Sequence, residues 1–264
     1  MTGEEIRKKN IAVVTGASSG LGLEFCRQLD AQGGLDEIWV IARRKERLEN
    51  MRSGIRTEIR PLPLDLTDPE AIGQYAQALQ AEKPNIAVLV NAAGFGKIGS
   101  YEDISLQDCN GMIDLNCRAA VDMTQVSLPF MSRGSRILEI CSTAAFQPFQ
   151  YLGIYAATKA FLLRYSRSLR VELLPRGILV TAVCPYWVKD TEFIGTAEKT
   201  RNSTYIKGYP LAGRMKGTVA AALLDSRCGR AVSTPSPVSA AHRFFSKVFP
   251  DNVLMAFWEL IRRL

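Results

Sequence analysis

Tyr155 and Lys159 stand four residues apart in a segment of helical period, which puts a phenol and an ammonium on one helix face. A free tyrosine, with a pKa of about 10, is a poor base near neutrality. Bringing it to roughly 7–8 takes about 3–4 kcal/mol. An ammonium at about 4 Å supplies on the order of 4 kcal/mol at an effective dielectric near 20, so a lysine-tuned tyrosine can serve as acid and base. The chain has a single histidine, His242, which leaves little room for a Ser-His-Asp triad or a multi-histidine metal site. Ser142 closes an apolar strand and can hold a substrate carbonyl while Tyr155 exchanges the proton. Asn116 sits mid-helix in Asp114-Leu115-Asn116-Cys117, where an amide bonds locally, faces water or holds a water near Lys159. A Tyr-x-x-x-Lys string alone is common in helices; its meaning depends on what surrounds it.

A second group of residues fits a nucleotide. An apolar strand runs directly into Thr15-Gly16-Ala17-Ser18-Ser19-Gly20-Leu21-Gly22 and then into a helix. Glycines let the backbone approach a pyrophosphate, and the free N–H groups of a helix start favour negative charge. Read alone, the turn is equally a tight strand-to-helix connection. Beyond the second strand, where an NAD site presents Asp or Glu to the ribose, the chain reads Ala42-Arg43-Arg44. Two guanidinium groups suit a 2′-phosphate, and the cofactor expected is NADP(H); the plainer alternative is a solvated helix start. Asp65, in Leu64-Asp65-Leu66, can accept from an adenine amino group or simply open the next helix. The small residues of Asn91-Ala92-Ala93-Gly94 let adenosine lie against the strand ends, although Asn91 is also a common turn former.

The elements that must position these groups alternate strand and helix, the pattern of βαβ units in a parallel sheet. Strands are predicted at 11–15, 37–42, 58–62, 86–90, 136–141, 179–184 and 230–233, and helices at 21–31, 69–81, 106–131 and 153–174. The expected fold is α/β: a doubly wound, seven-stranded parallel sheet flanked by helices, forming one Rossmann-type domain over residues 1–264. Residues 189–217 are long, polar and dotted with glycine, which suits a substrate lid. Residues 237–264 form a C-terminal amphipathic helical extension interrupted by Pro250. It can pack on this domain or a sister subunit, close a substrate pocket, or lie on a membrane surface.

Taken together these residues resemble the short-chain dehydrogenase/reductase family, from about Asn10 to Thr234. The resemblance rests on Thr15–Gly22, Asp65, Asn91–Gly94, Asn116, Ser142 and the Tyr155/Lys159 pair. It implies an Asn-Ser-Tyr-Lys tetrad, with Tyr155 as acid/base and Lys159 lowering its pKa and holding the nicotinamide ribose. Ser142 would then position substrate, and Asn116 support the proton relay. It further implies hydride transfer between nicotinamide and a secondary alcohol or ketone, in a homo-dimer or homo-tetramer. One stretch departs from the family pattern. Where Pro-Gly and a nicotinamide-binding threonine are usual, this chain reads Pro185-Tyr186-Trp187-Val188-Lys189-Asp190-Thr191. Val188 and Thr191 can still seat the cofactor beside Pro185, while Tyr186 and Trp187 can form an aromatic substrate wall.

By analogy the substrate pocket draws on Phe95, Phe146, Tyr151, Tyr186 and Trp187. That many aromatics suit a small-molecule substrate that is flat and largely apolar, such as a steroid or bile acid, so a hydroxysteroid dehydrogenase is favoured. The alternatives are a 3-oxoacyl-thioester or other small carbonyl reductase, or a non-catalytic nucleotide-sensing scaffold. The net charge of +7 is spread over short clusters, so nucleic acid is not an expected partner. The six cysteines are scattered without a CxxC pair, so no metal is expected. No run is long and apolar enough to cross a bilayer, and residues 1–10 lack an apolar signal core. A cytoplasmic protein without a membrane partner is expected.

Overall fold

Strand β1 (Asn10–Thr15) is buried from Ile11 onward, and its alternate residues serve two different cores. Ala12 and Val14 pack with Phe25 and Leu29 of helix α1 (Gly20–Gln32) on one side of the sheet. Ile11 and Val13 face the other side. A sheet buried on both faces needs helices on both, which is why its strands read as continuous apolar runs. The computed structural model describes residues 7–263; residues 1–6 and Leu264 lie outside the described residues, and with them much of the polar N-terminal stretch.

The remaining elements follow in alternation. They are β2 (Glu37–Ile41), the short α2 (Lys45–Glu49), β3 (Glu58–Leu62), α3 (Pro69–Glu82) and β4 (Asn85–Asn91). Next come α4 (Leu106–Ile113), α5 (Ala119–Ser127), β5 (Arg136–Ile140), α6 (Gly153–Leu173) and β6 (Leu179–Val183). Last are α7 (Phe193–Ala197), α8 (Met215–Arg227), β7 (Val232–Ser233), α9 (Pro237–Val248) and α10 (Asp251–Ile261). The seven strands form one parallel sheet in the order β3-β2-β1-β4-β5-β6-β7. Val219 and Leu223 of α8 complete the face covered by α1. Tyr75 and Leu79 of α3, Met123 of α5 and Leu169 of α6 cover the other. Sheet, direction and strand count are those expected from the sequence.

Helix starts are marked by ordinary chemistry: Asp68 caps α3 ahead of Pro69, and Ser236 caps α9 ahead of Pro237. The helix expected over 106–131 is interrupted. A π-helical turn at Asp114–Arg118 separates α4 from α5, and a 3₁₀ turn at Leu128–Phe130 ends the run. The inserted turn swings Asn116 inward, and it is now buried. Residues 189–217 are partly structured, with α7 inside them and the start of α8 at Met215. They are pinned where the Gly213 N–H donates to the Trp187 carbonyl at 2.8 Å and the Ile98 N–H to Ala197 at 2.8 Å.

Candidate active site

In open α/β sheets ligands sit outside the carboxyl ends of the strands where the order reverses, here between β1 and β4. A cleft of about 1120 Å³ occupies that position and runs from the turn between β1 and α1 to helices α9 and α10. Every catalytic and cofactor-binding residue expected from the sequence lines it except Asn91 and Asn116.

At one end Gly16, at φ +66°, lies so close to β4 that an added Cβ would meet the Ala92 and Ala93 backbone at 2.9 Å. A Cβ on Gly22 would collide with the Gly16 carbonyl. The Thr15 hydroxyl accepts from the N–H groups of Ala92 and Ala93, each at 3.0 Å, and locks β1 to this turn. No side chain caps α1, and its first turn holds no acid, so its N–H groups are left for an anion. Leu21, Ala92, Ala93 and Leu66 supply apolar walls around the glycines, with Gly20 below Thr191. Arg44 donates to the Ser18 and Ser19 hydroxyls at 3.2 and 3.3 Å, and Arg43 is mostly exposed, 4.0 Å from Asp65. A glycine cradle, an uncapped helix and two guanidinium groups fit an adenine dinucleotide bearing a 2′-phosphate.

Two of these residues are tied into the fold by their side chains. Asn91 does not line the cleft, and its amide nitrogen donates to Thr124 Oγ1 at 2.8 Å, Glu139 Oε1 at 2.9 Å and the Ala120 carbonyl at 3.3 Å. Asp65 does line the cleft, yet its Oδ1 accepts from the N–H and hydroxyl of Thr67, closing a local turn. Only Oδ2 is left to face Arg43 or a ligand.

At the chemical end, α6 carries Tyr155 and Lys159 into the cleft, both buried. Ser142 follows β5; its hydroxyl accepts from the Ala144 N–H at 3.1 Å and lies near the Tyr155 phenol. In this structure the ammonium is held away from the phenol ring. Lys159 Nζ lies 5.7 Å from the Tyr155 ring centroid and donates to the Ile140 carbonyl at 2.7 Å. Burial pushes the Tyr155 phenol up, with the nearby Ser142 hydroxyl only partly opposing it, and burial pushes Lys159 down. Each group is thus biased to its neutral form, and the phenol is a proton donor rather than a ready base.

Asn116 stands behind this pair. Its Oδ1 accepts from the Phe95 N–H at 3.0 Å, and its Nδ2 donates to the Phe95 carbonyl at 2.9 Å and Thr158 Oγ1 at 3.0 Å. It holds the loop after β4 against α6, so its place is that of a positioning residue. A Cβ at Gly94 would lie 2.8 Å from Asn116 Oδ1 and 3.4 Å from Lys159 Nζ, so glycine there keeps the two polar groups in one corner. The Pro185-Tyr186 turn is rebuilt without positive φ: Tyr186 stays in ordinary backbone space and donates its N–H to Ser239 Oγ at 3.1 Å. The Pro185 carbonyl accepts from Thr143 at 2.9 Å, and Thr191 Oγ1 donates to the Val188 carbonyl at 2.9 Å.

Of the expected aromatic wall, Phe95, Tyr186 and Trp187 line the cleft, while Phe146 and Tyr151 do not. Tyr151 stacks on Tyr205 at 3.9 Å, and Phe146 meets the His242 ring edge-on at 5.7 Å. Sequence reasoning missed Phe193, whose ring tilts against Tyr155 at 5.4 Å, and Gly96, which makes room for both rings. It also missed a polar pair in the apolar chamber, where His242 Nε2 meets Gln147 Oε1 at 2.8 Å. Burial pushes His242 down to about 4, so the imidazole is neutral and donates to the amide oxygen. Helices α9 and α10 pack on their own domain through Leu254 and Trp258, Trp258 Nε1 donating to the Gln150 carbonyl at 3.3 Å, and they line the far end of the cleft.

A family profile described as short chain dehydrogenase matches residues 10–202. The chain is similar to the NADP-dependent 3-hydroxy acid dehydrogenase YdfG of Escherichia coli, with 34% identity over 205 residues, 74% of this chain and 82% of that protein. Among solved structures it resembles a short-chain dehydrogenase from Sphingobium yanoikuyae in complex with NADPH. There the TM-score is 0.76 and the identity 28%, covering 94% of this chain and 95% of that one. It also resembles the bulky-bulky ketone specific alcohol dehydrogenase from Comamonas testosteroni, with a TM-score of 0.73, 25% identity and 94% of each chain covered. The protein belongs to the short-chain dehydrogenase family.

Proposed function

We propose that this oxidoreductase reduces a bulky, largely apolar ketone to a secondary alcohol with NADPH, a steroid or bile-acid skeleton being the favoured substrate class. One observation carries the reading: a protonated, buried phenol stands where the nucleotide end of the cleft meets a chamber closed by Trp187, Phe193, Leu254 and Trp258. The NADPH in the Sphingobium yanoikuyae complex and the NADP dependence in the Escherichia coli relative's name support the cofactor. So do Arg43 and Arg44 at the adenosine end. The catalytic assignment is Ser142, Tyr155 and Lys159, with Asn116 positioning them.

Bound NADPH supplies the hydride. The chain's own residues do the rest. Ser142 and Tyr155 hydroxyls grip the ketone oxygen, and Tyr155 gives its proton to that oxygen as negative charge develops there. Lys159, held by the Ile140 carbonyl, stands beside the phenol, and its protonated form favours the phenolate left behind. Phe193 and Trp187 exclude water. A phenol whose neutral form is favoured by burial serves the reductive direction.

A second reading, reduction of a small oxo acid, draws on the hydroxy acid named for the Escherichia coli relative. It would need a free cation in the chamber. Lys97 lines the cleft, but it donates to the Lys199 carbonyl at 2.8 Å and lies 3.6 Å from Asp108. That neutralised lysine favours the apolar ketone. The reading places the enzyme in the cytoplasm as a single domain that assembles into homo-oligomers. Steady-state assays with oxo-steroids, other bulky ketones, oxo acids and sugars, each with NADPH and NADH, test it. Turnover confined to oxo acids or sugars would overturn it.

A further inference from the structure

Helices α9 and α10 turn one side inward and leave the other bare. Ser239, Leu254 and Trp258 are buried against the domain, whereas Phe244, Phe245, Val248, Phe249, Phe257 and Leu260 lie 44–62% exposed. At α9 the outward rings adjoin one another: Phe244 and Phe245 are 5.7 Å apart, and Phe245 and Phe249 are 6.0 Å apart. Soluble monomers scatter such residues singly, and a contiguous apolar patch marks a contact.

Two observations choose the partner. Phe245, Phe249, Val253 and Phe257 are exposed and also line the cleft, so the patch is the rim of the cleft's mouth. A second copy fixed there would seal the opening through which substrate and product must pass, and a fluid surface would not. At the surface this segment presents Lys247, Arg263 and the half-buried Arg243 against Asp251, a local excess of positive charge. Arg262 is buried and paired with Glu259, and the whole chain has a net charge of +7. Phenylalanine on one face with lysine and arginine beside it is the composition of helices that lie in an anionic lipid interface. Among the described residues no helix is long and apolar enough to cross a membrane, so the contact is superficial.

We propose that α9 and α10 seat the protein on an anionic phospholipid surface, with the mouth of the cleft facing the lipid so that an apolar substrate reaches Tyr155 from the bilayer. This departs from the expectation of no membrane partner. The docking stands apart from the reaction; the access route rests on the ketone-reductase reading.

The test is co-sedimentation of the full chain with vesicles of phosphatidylcholine plus phosphatidylglycerol, and with phosphatidylcholine alone. The protein is expected to partition onto the mixed vesicles and far less onto the neutral ones. The double variant Phe244→Ser/Leu260→Ser, at positions outside the cleft, should lose at least about 10-fold in partitioning. Its melting curve and turnover of a water-soluble ketone should match the parent. Protein that stays in the supernatant with both vesicles, or a variant that partitions equally, overturns the proposal. A dimer in sedimentation velocity that the variant converts to monomer overturns it too, and assigns the patch to a second copy. Vesicle binding without turnover of any ketone would leave the docking in place and refute only the reaction.

Discussion

Arg44 and Glu192 meet across the mouth of the nucleotide end, with Nη2 and Oε2 3.4 Å apart, and Arg47 reaches the other carboxylate oxygen at 2.8 Å. Arg44 also donates to Ser18 and Ser19. A carboxylate from the segment before α7 thus shares the guanidinium that a 2′-phosphate would claim.

Removing that competitor should tighten the phosphate site. Glu192→Gln is expected to lower the NADPH Kd several-fold and leave the NADH Kd unchanged. Arg44→Leu should weaken NADPH by about 10- to 100-fold, the loss of one charge-assisted bond, again with little effect on NADH. Fluorescence titration of each variant with both cofactors checks this. Equal effects on NADPH and NADH would remove Arg44 from 2′-phosphate recognition.

Gly96 should behave as a catalytic-geometry position although it carries no chemistry. A Cβ there would lie 2.9 Å from Tyr155 Cδ2 and 3.1 Å from Phe193 Cζ, so both rings must give way. Displacing a catalytic group by a fraction of an ångström to 1 Å costs up to about 100-fold in rate. Gly96→Ala is expected to cut kcat by about 10-fold or more, with the NADPH Kd and the secondary structure unchanged. A kcat equal to the parent would show that the phenol does not depend on this packing.

Glu139 predicts how stability changes with pH. It is wholly buried in β5, accepts from Asn91 and Thr124, and has Oε2 without a partner. Burial pushes its carboxyl up to about 7, from an ordinary value of 4.5. Between those values the unfolded chain loses the proton while the folded chain keeps it, so stability falls as pH rises through that window. The total is about 3 kcal/mol. Glu139→Gln, always neutral, should remove that decline and melt higher than the parent at pH 8. Thermal denaturation from pH 4.5 to 8 measures it; a parent curve as flat as the variant's would refute the buried neutral carboxyl.

What the sequence disclosed, and what it withheld, follows from how far each signal travels along the chain. Strands are legible because a run such as Ile11–Val14 is apolar on both faces and ends in turn residues. The glycine turn is legible because Gly16, Gly20 and Gly22 lie within one local loop. The bonds of the Asn91 side chain were not legible, because its partners Thr124 and Glu139 lie 33 and 48 residues on. The break between α4 and α5 was hidden, since a π turn inserts without disturbing helical composition. The distance from Lys159 to the phenol was equally hidden, because four-residue spacing fixes a shared face and not the rotamer that sends Nζ to Ile140. Gly96 and Glu192 act through tertiary neighbours, and no local pattern marks them.

The central claim is that the buried Tyr155 phenol delivers the proton while NADPH delivers the hydride. Tyr155→Phe removes only the hydroxyl and keeps the ring against Phe193. Turnover of a bulky ketone by this variant, measured beside its NADPH affinity, tests the claim most directly. The account predicts that kcat falls at least about 100-fold, while the NADPH Kd stays at the parent value. Turnover close to that of the parent, with cofactor still bound, would contradict it.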